Sequence, residues 1–228
     1  MTISCLITAE HASNQVPERW RHLFRGHEEV LESHRGWDRG SLELAQALAR
    51  SLHAPLLAGR ITRLLIDLNR SAGHPRRFSA FSLGLAASEQ AELIETYWRP
   101  HWDRYSNYLN TQAGRIIHLA CHSFTPVLDG KPRATDIGLL FDPARPDEAG
   151  FCHDLGAQLR QALPDLRVHM NQPYRGISNG LGQQHRPHYS DERLITFELE
   201  INQRLLGSLD RIADLLPELL RATAAGRS

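Results

Sequence analysis

The residues of this chain whose types could do chemistry share an address. His11, Asn69, Arg70, His122 and Glu200 each sit at or just past the end of an apolar, strand-like run, and Asp38 stands at the start of a helical pattern. Two neutral imidazoles and one carboxylate form a ligand set that zinc commonly takes in catalytic sites, leaving a fourth position for a water whose pKa falls toward neutrality. His11, His122 and Asp38 can supply that set. A separate carboxylate must then take the proton of the water and pass it to the leaving group, and Glu200 is the candidate. Glu198 lies on the same face of the same run and competes with it. In Asp67-Leu68-Asn69-Arg70, charge follows an apolar stretch. Arg70, with Asn69 before it and Ser71-Ala72-Gly73-His74-Pro75 after it, reads as an anion site on a loop, since the guanidinium fork suits a carboxylate. Each residue also has a plainer role: an N-cap for Asp38, a strand-end salt bridge for Asp67, a core histidine or a solvated acid elsewhere. Their common placement favours the chemical one.

Strand geometry selects among the neighbours. Successive side chains on a strand face opposite ways, so Glu10 and His11 serve different faces if the strand persists through them, and His11 is the choice. His118 shares a face with His122, but at roughly 3.3 Å per residue it lies about 13 Å away, too far to share one metal. Cys121 points away from His122 and reads as a small core residue.

Composition narrows the partner. The chain has 228 residues, long enough for one large domain over 1–228 with a substantial core. Its 26 Lys and Arg balance 26 Asp and Glu, so no overall basic field recommends nucleic acid or an anionic membrane. A small-molecule substrate carrying a carboxylate is expected instead. Cys5, Cys121 and Cys152 lack Cys-x-x-Cys spacing and are odd in number, which fits a reducing, cytoplasmic setting. No basic leader precedes the first apolar run, and no run approaches the roughly 20 residues of a membrane span.

The elements that must position these residues alternate along the chain. Strands are expected at Ile3 to Ala9, once or twice within Leu56 to Leu68, and at Ile116 to Cys121, Ile137 to Phe141, Leu166 to Met170 and Leu194 to Ile201. Helical periodicity runs over Leu42 to Leu52, Ser88 to Ala113 with a kink at Pro100, Asp147 to Leu163, and Leu206 to Thr223. Such alternation predicts an α/β fold: a mixed, mostly parallel sheet flanked by helices, with the ends of its parallel strands gathered on one edge. Gly176 to Asp191 has no clear period and is long for a connection, so a lid or substrate loop is expected there.

Six stretches, Glu10-His11-Ala12-Ser13-Asn14-x-Val16-Pro17, Ser33-His34-Arg35-Gly36-Trp37-Asp38, Asp67-Leu68-Asn69-Arg70-Ser71, His122-Ser123-Phe124-Thr125-Pro126, Asn171-x-Pro173-Tyr174 and Glu198-Leu199-Glu200-Ile201-Asn202-Gln203, together resemble the N-formylglutamate amidohydrolase family. The order of the Asp-Leu-Asn-Arg stretch among the histidines also resembles the aspartoacylase and succinylglutamate desuccinylase group. That resemblance implies a zinc carboxypeptidase-like, phosphorylase/hydrolase-like fold and hydrolysis of the amide of a small N-acyl amino acid with one zinc ion per chain. Residue by residue it implies His11 and His122 as ligands, Glu200 as the catalytic acid and base, and Asn69 and Arg70 on the substrate carboxylate, with Tyr174 beside it. Where the wider group has Glu three residues after its first His, this chain has Asn14, leaving Asp38 or Asn14 for the third ligand position. Glu200 is preferred to Glu198 because Glu200-Ile201-Asn202-Gln203 matches the motif better. Arg63, Arg133 and Arg175 each remain open for a second substrate carboxylate, Arg133 being the one taken with Tyr174 as substrate-binding. A carboxypeptidase-like peptidase, another N-acyl amino acid deacylase and a non-catalytic small-molecule-binding relative are the alternatives.

Overall fold

Leu6 and Ile7, like Ile116 and Ile117, are neighbours in sequence that face opposite sides of one sheet, and both sides are buried. That is what a parallel sheet requires, since its crossover helices cover both faces. The computed structural model describes residues 2–227. In chain order its elements are β1 (Ile3–Ala9), α1 (Glu28–Glu32), α2 (Ser41–Leu52), β2 (Leu56–Ala58), α3 (Ala87–Leu93), α4 (Arg99–Thr111), β3 (Arg115–Phe124), β4 (Val127–Leu128), β5 (Lys131–Pro132), β6 (Ile137–Leu140), α5 (Pro146–Ala162), β7 (Val168–Met170), α6 (Leu181–His185), β8 (Leu194–Asn202) and α7 (Leu209–Ala225).

The main sheet runs β2-β1-β3-β8-β6-β7, with β4 and β5 forming a separate hairpin. β2, β1, β3 and β8 are mutually parallel. β6 pairs antiparallel with β8 and parallel with β7, so the last two strands run the other way. The expected mixed, mostly parallel α/β sheet is observed, and the carboxyl ends of β1, β3 and β8 meet on one edge. β3 extends to Phe124 rather than stopping at Cys121, and β8 to Asn202, so His122 and Glu200 lie two residues inside their strands.

Helices α2, α5 and α7 cover one face over Ile117, Leu119, Phe151, Phe197 and Leu216. The other face carries α4 and an irregular layer over Leu6, Leu65, Ile66, Trp102 and Tyr105. On α2 the buried positions are Ser41, Leu44, Ala45, Leu48 and Ala49, the stripe of an amphipathic helix. Its N-cap is Gly40, with φ +83°, where a side chain would also run into Leu206. Asp38 is therefore not the cap, and its carboxylate is available elsewhere.

The long helix expected over Ser88 to Ala113 is continuous but not uniform. A π turn over Ile94–Trp98 joins α3 to α4 just before Pro100, where the missing N–H would otherwise break the ladder.

The apolar run Leu64 to Leu68 is not a strand, contrary to expectation. It is fully buried, yet its polar backbone groups find partners other than a neighbouring strand. Leu64 N–H donates to Thr62 Oγ1, Leu64 O accepts from Ser79 and Ser82 hydroxyls, Asp67 N–H donates to Arg77 O, and Leu68 O accepts from Trp102 Nε1. Buried backbone needs partners, not a ladder in particular.

The expected lid over Gly176 to Asp191 is partly helical and firmly held. Arg186 is buried; it pairs with Glu148 at 2.8 Å and donates to Gly176 O at 2.6 Å and Thr196 O at 2.8 Å. The segment is a strap, pinned at the far side of the sheet edge.

Candidate active site

β1 ends at Ala9, and the turn that follows presents both Glu10 and His11 to the sheet edge. His11 O accepts the backbone N–H of Asp38 at 2.9 Å, which brings the loop ahead of α2 against it. His122 reaches the same place from β3. The Nδ1 atoms of His11 and His122 lie 3.4 and 2.9 Å from one oxygen, Asp38 Oδ2. The two rings are 5.1 Å apart, and one donor atom from each of His11, Asp38 and His122 falls within 4.8 Å of the others, all three residues being buried.

The opposite nitrogen of each ring meets a second carboxylate. His11 Nε2 is 2.7 Å from Asp67 Oδ1, and His122 Nε2 is 3.2 Å from Glu10 Oε2. Metal-bound imidazoles usually have such an outer partner, which fixes the ring and its tautomer. The donor set and its backing therefore fit a metal ion, which His11, His122 and Asp38 would hold. Burial opposes ionisation of these acids, but the imidazoles outweigh it and hold Asp38 and Glu10 below the usual carboxylate range. Asp67 is held low in the same way, by Arg63 first and then His11. Burial likewise opposes the charged form of His122, yet Asp38 and Glu10 raise its pKa well above that of a free imidazole.

Glu10, passed over in favour of His11, thus touches the site because the strand stops before it. Asp67, whose plain role was a strand-end salt bridge, does bind Arg63 at 2.8 Å, and it also carries His11. Asn14 is turned away, with its amide on Glu32 at 2.9 Å. Asp38, not Asn14, is in the cluster. His118 is a core histidine satisfied by Thr8, Tyr105 and Thr196, and Cys121 is a buried free thiol on the other face of β3.

Glu200 sits opposite His122 on β3 and opposite Gly138 on β6. A side chain at Gly138 would stand 2.1 Å from Gln172 O and 3.2 Å from Glu200 Cβ, so glycine is what lets three segments close behind the acid. Glu200 is buried, and its Oε2 has no hydrogen-bond partner among the described residues. Burial, then the charges of Asp38 and Glu198, push its pKa up to about 8 against His122 and Arg63. A carboxyl near neutral pKa can both give and take a proton. Glu198 is half-buried and accepts from Asn69 Nδ2 at 3.4 Å.

These groups line a cavity of about 270 Å³, together with His34, Arg63, Asn69, Arg70, Tyr174, Arg175 and Asn179. Its volume is near the low end of the ~300–1,000 Å³ range of small-molecule sites, which favours a small ligand over a peptide chain. The wall sets Arg63, Arg70 and Arg175 against Asp38, Glu198 and Glu200, and the arginines in and around it are not equivalent. Arg63 is paired with Asp67 and lies 3.7 Å from Asp38. Arg133 does not line the cavity; it donates to Tyr174 Oη at 3.0 Å and lies over the rings of Tyr174 and Phe124. Arg175 lines the mouth and is exposed. Asn69 has both amide atoms engaged, Oδ1 accepting from Leu181 N–H at 2.7 Å and Nδ2 reaching Glu198. Below the loop, the stacked Trp98 and Trp102 donate their indole N–H groups to Arg70 O and Leu68 O, both at 2.8 Å.

The fold has close counterparts among solved structures. Gene product Atu2144 from Agrobacterium tumefaciens superposes with a TM-score of 0.84 at 27% identity, covering 98% of this chain and 91% of that one. N-formylglutamate amidohydrolase from Ralstonia eutropha JMP134 has the same fold, with a TM-score of 0.72 at 20% identity over 97% of this chain and 93% of that one. No curated protein matches the chain. The model of one protein family, N-formylglutamate amidohydrolase, matches residues 3–206, and with the sheet edge, the buried donor set and the acid beside it already in view, the chain belongs to that family of hydrolases acting on amide bonds.

Proposed function

We propose that the protein is a zinc-dependent amidohydrolase that cleaves the amide of a small N-acyl amino acid, N-formylglutamate-like compounds being the first candidates. The observation that carries this reading is the convergence of His11, Asp38 and His122, each imidazole backed by a carboxylate, beside a buried Glu200 whose Oε2 has no hydrogen-bond partner among the described residues. A zinc ion on those three residues would supply an acidified water and a Lewis acid for the amide carbonyl. Nearby positive charge would also favour the ionised form of Glu200.

Glu200 takes the proton of the attacking water at its carboxylate and returns it to the amine nitrogen as the C–N bond breaks, leaving a carboxylic acid and a free amino acid. Arg70 holds the substrate carboxylate by a bidentate grip that a lysine point charge does not reproduce. Asn69, with its amide spent on Leu181 and Glu198, shapes the loop that carries Arg70. Arg175, exposed at the mouth, is the better candidate for a second carboxylate than Arg63, which is ion-paired, or Arg133, which steadies Tyr174. The free cysteines suit a cytoplasmic setting, and no helix among the described residues is long and apolar enough to cross a membrane.

The test is elemental analysis of the purified protein followed by a hydrolysis screen of N-formyl, N-acetyl and N-succinyl amino acids. About one zinc per chain, with activity lost on chelation and regained on zinc addition, is expected. Full activity in protein stripped of metal would overturn the reading.

A further inference from the structure

We infer that Asn179, on the strap, is a positioning residue for Arg70 and thereby sets how strongly the enzyme prefers a substrate with a free carboxylate. The inference rests on the proposed role of Arg70 as the carboxylate clamp. Arg70 is held on two edges of its guanidinium: Nη1 donates to Asn179 O, and Nε lies 3.7 Å from Asp67 Oδ2. The Arg70 side chain is about a quarter exposed and lines the cavity. A planar fork fixed along two edges can offer only what remains, so the strap restricts the direction from which a carboxylate is gripped.

Asn179 also ties down the next residue. Its Oδ1 accepts Ser71 N–H at 3.0 Å, and its Nδ2 donates to Ser71 Oγ at 2.9 Å. A side-chain amide, with an acceptor and donors on one group, answers both needs at once. One residue on, a side chain at Gly180 would lie 3.0 Å from Asn69 Oδ1 and 3.1 Å from Glu198 Oε1, and Leu181 N–H donates to Asn69 Oδ1. Residues 179–181 therefore lie flat against residues 69–71. The far end of the strap is anchored by buried Arg186, so the loop is braced against a fixed point. Trp98 closes the opposite side through Arg70 O. A clamp on a braced loop loses less freedom when it binds.

The experiment compares hydrolysis of N-formylglutamate and its α- and γ-carboxamides by the zinc-loaded wild type, Arg70→Ala, Asn179→Ala, Ser71→Ala and the Ser71→Ala/Asn179→Ala double variant. Thermal melting serves as a check on folding. Asn179→Ala should raise KM for the dicarboxylate by about tenfold, the scale of misplacing one charged hydrogen-bond donor, with a much smaller change in kcat. The carboxamide that the wild type handles worst should lose little further, because the grip can be lost only once. Ser71→Ala, which removes a single acceptor, should move in the same direction by less, and the double variant should be no worse than Asn179→Ala. If Arg70→Ala loses the carboxylate preference while Asn179→Ala keeps it, the inference fails and the clamp stands. If Arg70→Ala keeps the preference, or the wild type shows none, the clamp itself fails and the inference with it.

Discussion

At the scale of single residues, two acids and two imidazoles divide the work by what each can reach. Glu200→Gln keeps the shape and removes the proton acceptor, so turnover should fall by roughly a hundredfold or more with bound zinc retained. Glu198→Gln should matter much less, since that acid is half-buried and occupied by Asn69. The reverse ranking, with metal content measured in both variants, would move the acid–base role to Glu198. Glu10 has a different task. Fully enclosed, with His122 and His101 near its oxygens, it fixes the ring whose Nδ1 faces Asp38. Glu10→Gln should weaken zinc binding by about 10- to 100-fold in competition with a chelator, the usual worth of an outer partner. Unchanged affinity would leave Glu10 a buried acid with no bearing on the metal.

At the scale of elements, the strap over Gly176 to Asp191 shows how an irregular segment becomes rigid. Leu181 and Tyr189 pack against the core, and buried Arg186 bonds Glu148 on α5 and a carbonyl of β8. Taking away one member of a buried ion pair leaves the other charge uncompensated, at a cost of about 3–5 kcal/mol. Arg186→Ala should therefore lower Tm by roughly 10 °C in a chain of this size, as read by calorimetry. A shift as small as that from breaking an exposed pair would show that the strap is not anchored there. The π turn and α4 do comparable work on the other side, through Trp98 and Trp102, which pack in the core and still donate to the carbonyls of the Arg70 loop. Their second task depends on which loop lies beneath them.

At the scale of the whole molecule, burial of polar groups between the sheet and α4 couples stability to pH. His118 is enclosed, and burial first, then the charges of His185 and Arg186, lowers its pKa from 6.5 to about 3 despite the pull of Glu10. The unfolded chain binds this proton more readily than the native one. The stability contributed is therefore present above pH 6.5 and is lost as pH falls from 6.5 toward 3. Replacing His118 by Gln should flatten the acid side of the stability profile by up to about 1.4 kcal/mol per pH unit relative to the wild type. His122, shifted the opposite way, is common to both proteins and cancels in the difference. Parallel profiles between pH 6 and 5, followed by urea unfolding, would show that His118 carries no such linkage.

Local pattern was enough for the alternation of strands and helices, for a mostly parallel sheet, and for setting His11, Asp38, His122 and an acid of the last strand at its edge; taking Glu200 over Glu198 rests on the family resemblance. Those features follow from periodicity and from where apolar runs stop, which neighbouring residues along the chain dictate. Other features needed the folded chain. Leu64 to Leu68 is as apolar as a strand, but Ser79, Ser82, Arg77 and Trp102 take its backbone groups, and nothing within the run announces that. Glu10 joins the site because β1 ends one residue before it, a boundary that local pattern leaves uncertain. Arg63 and Asn69 line the cavity and are also bound to Asp67, Leu181 and Glu198, partners that no local pattern names. Asn179, over a hundred residues from Ser71 in the chain, could be matched to it only by the crossing of strap and loop. A side chain's type says which bonds it can make; which partner it meets is decided by packing between segments far apart in sequence.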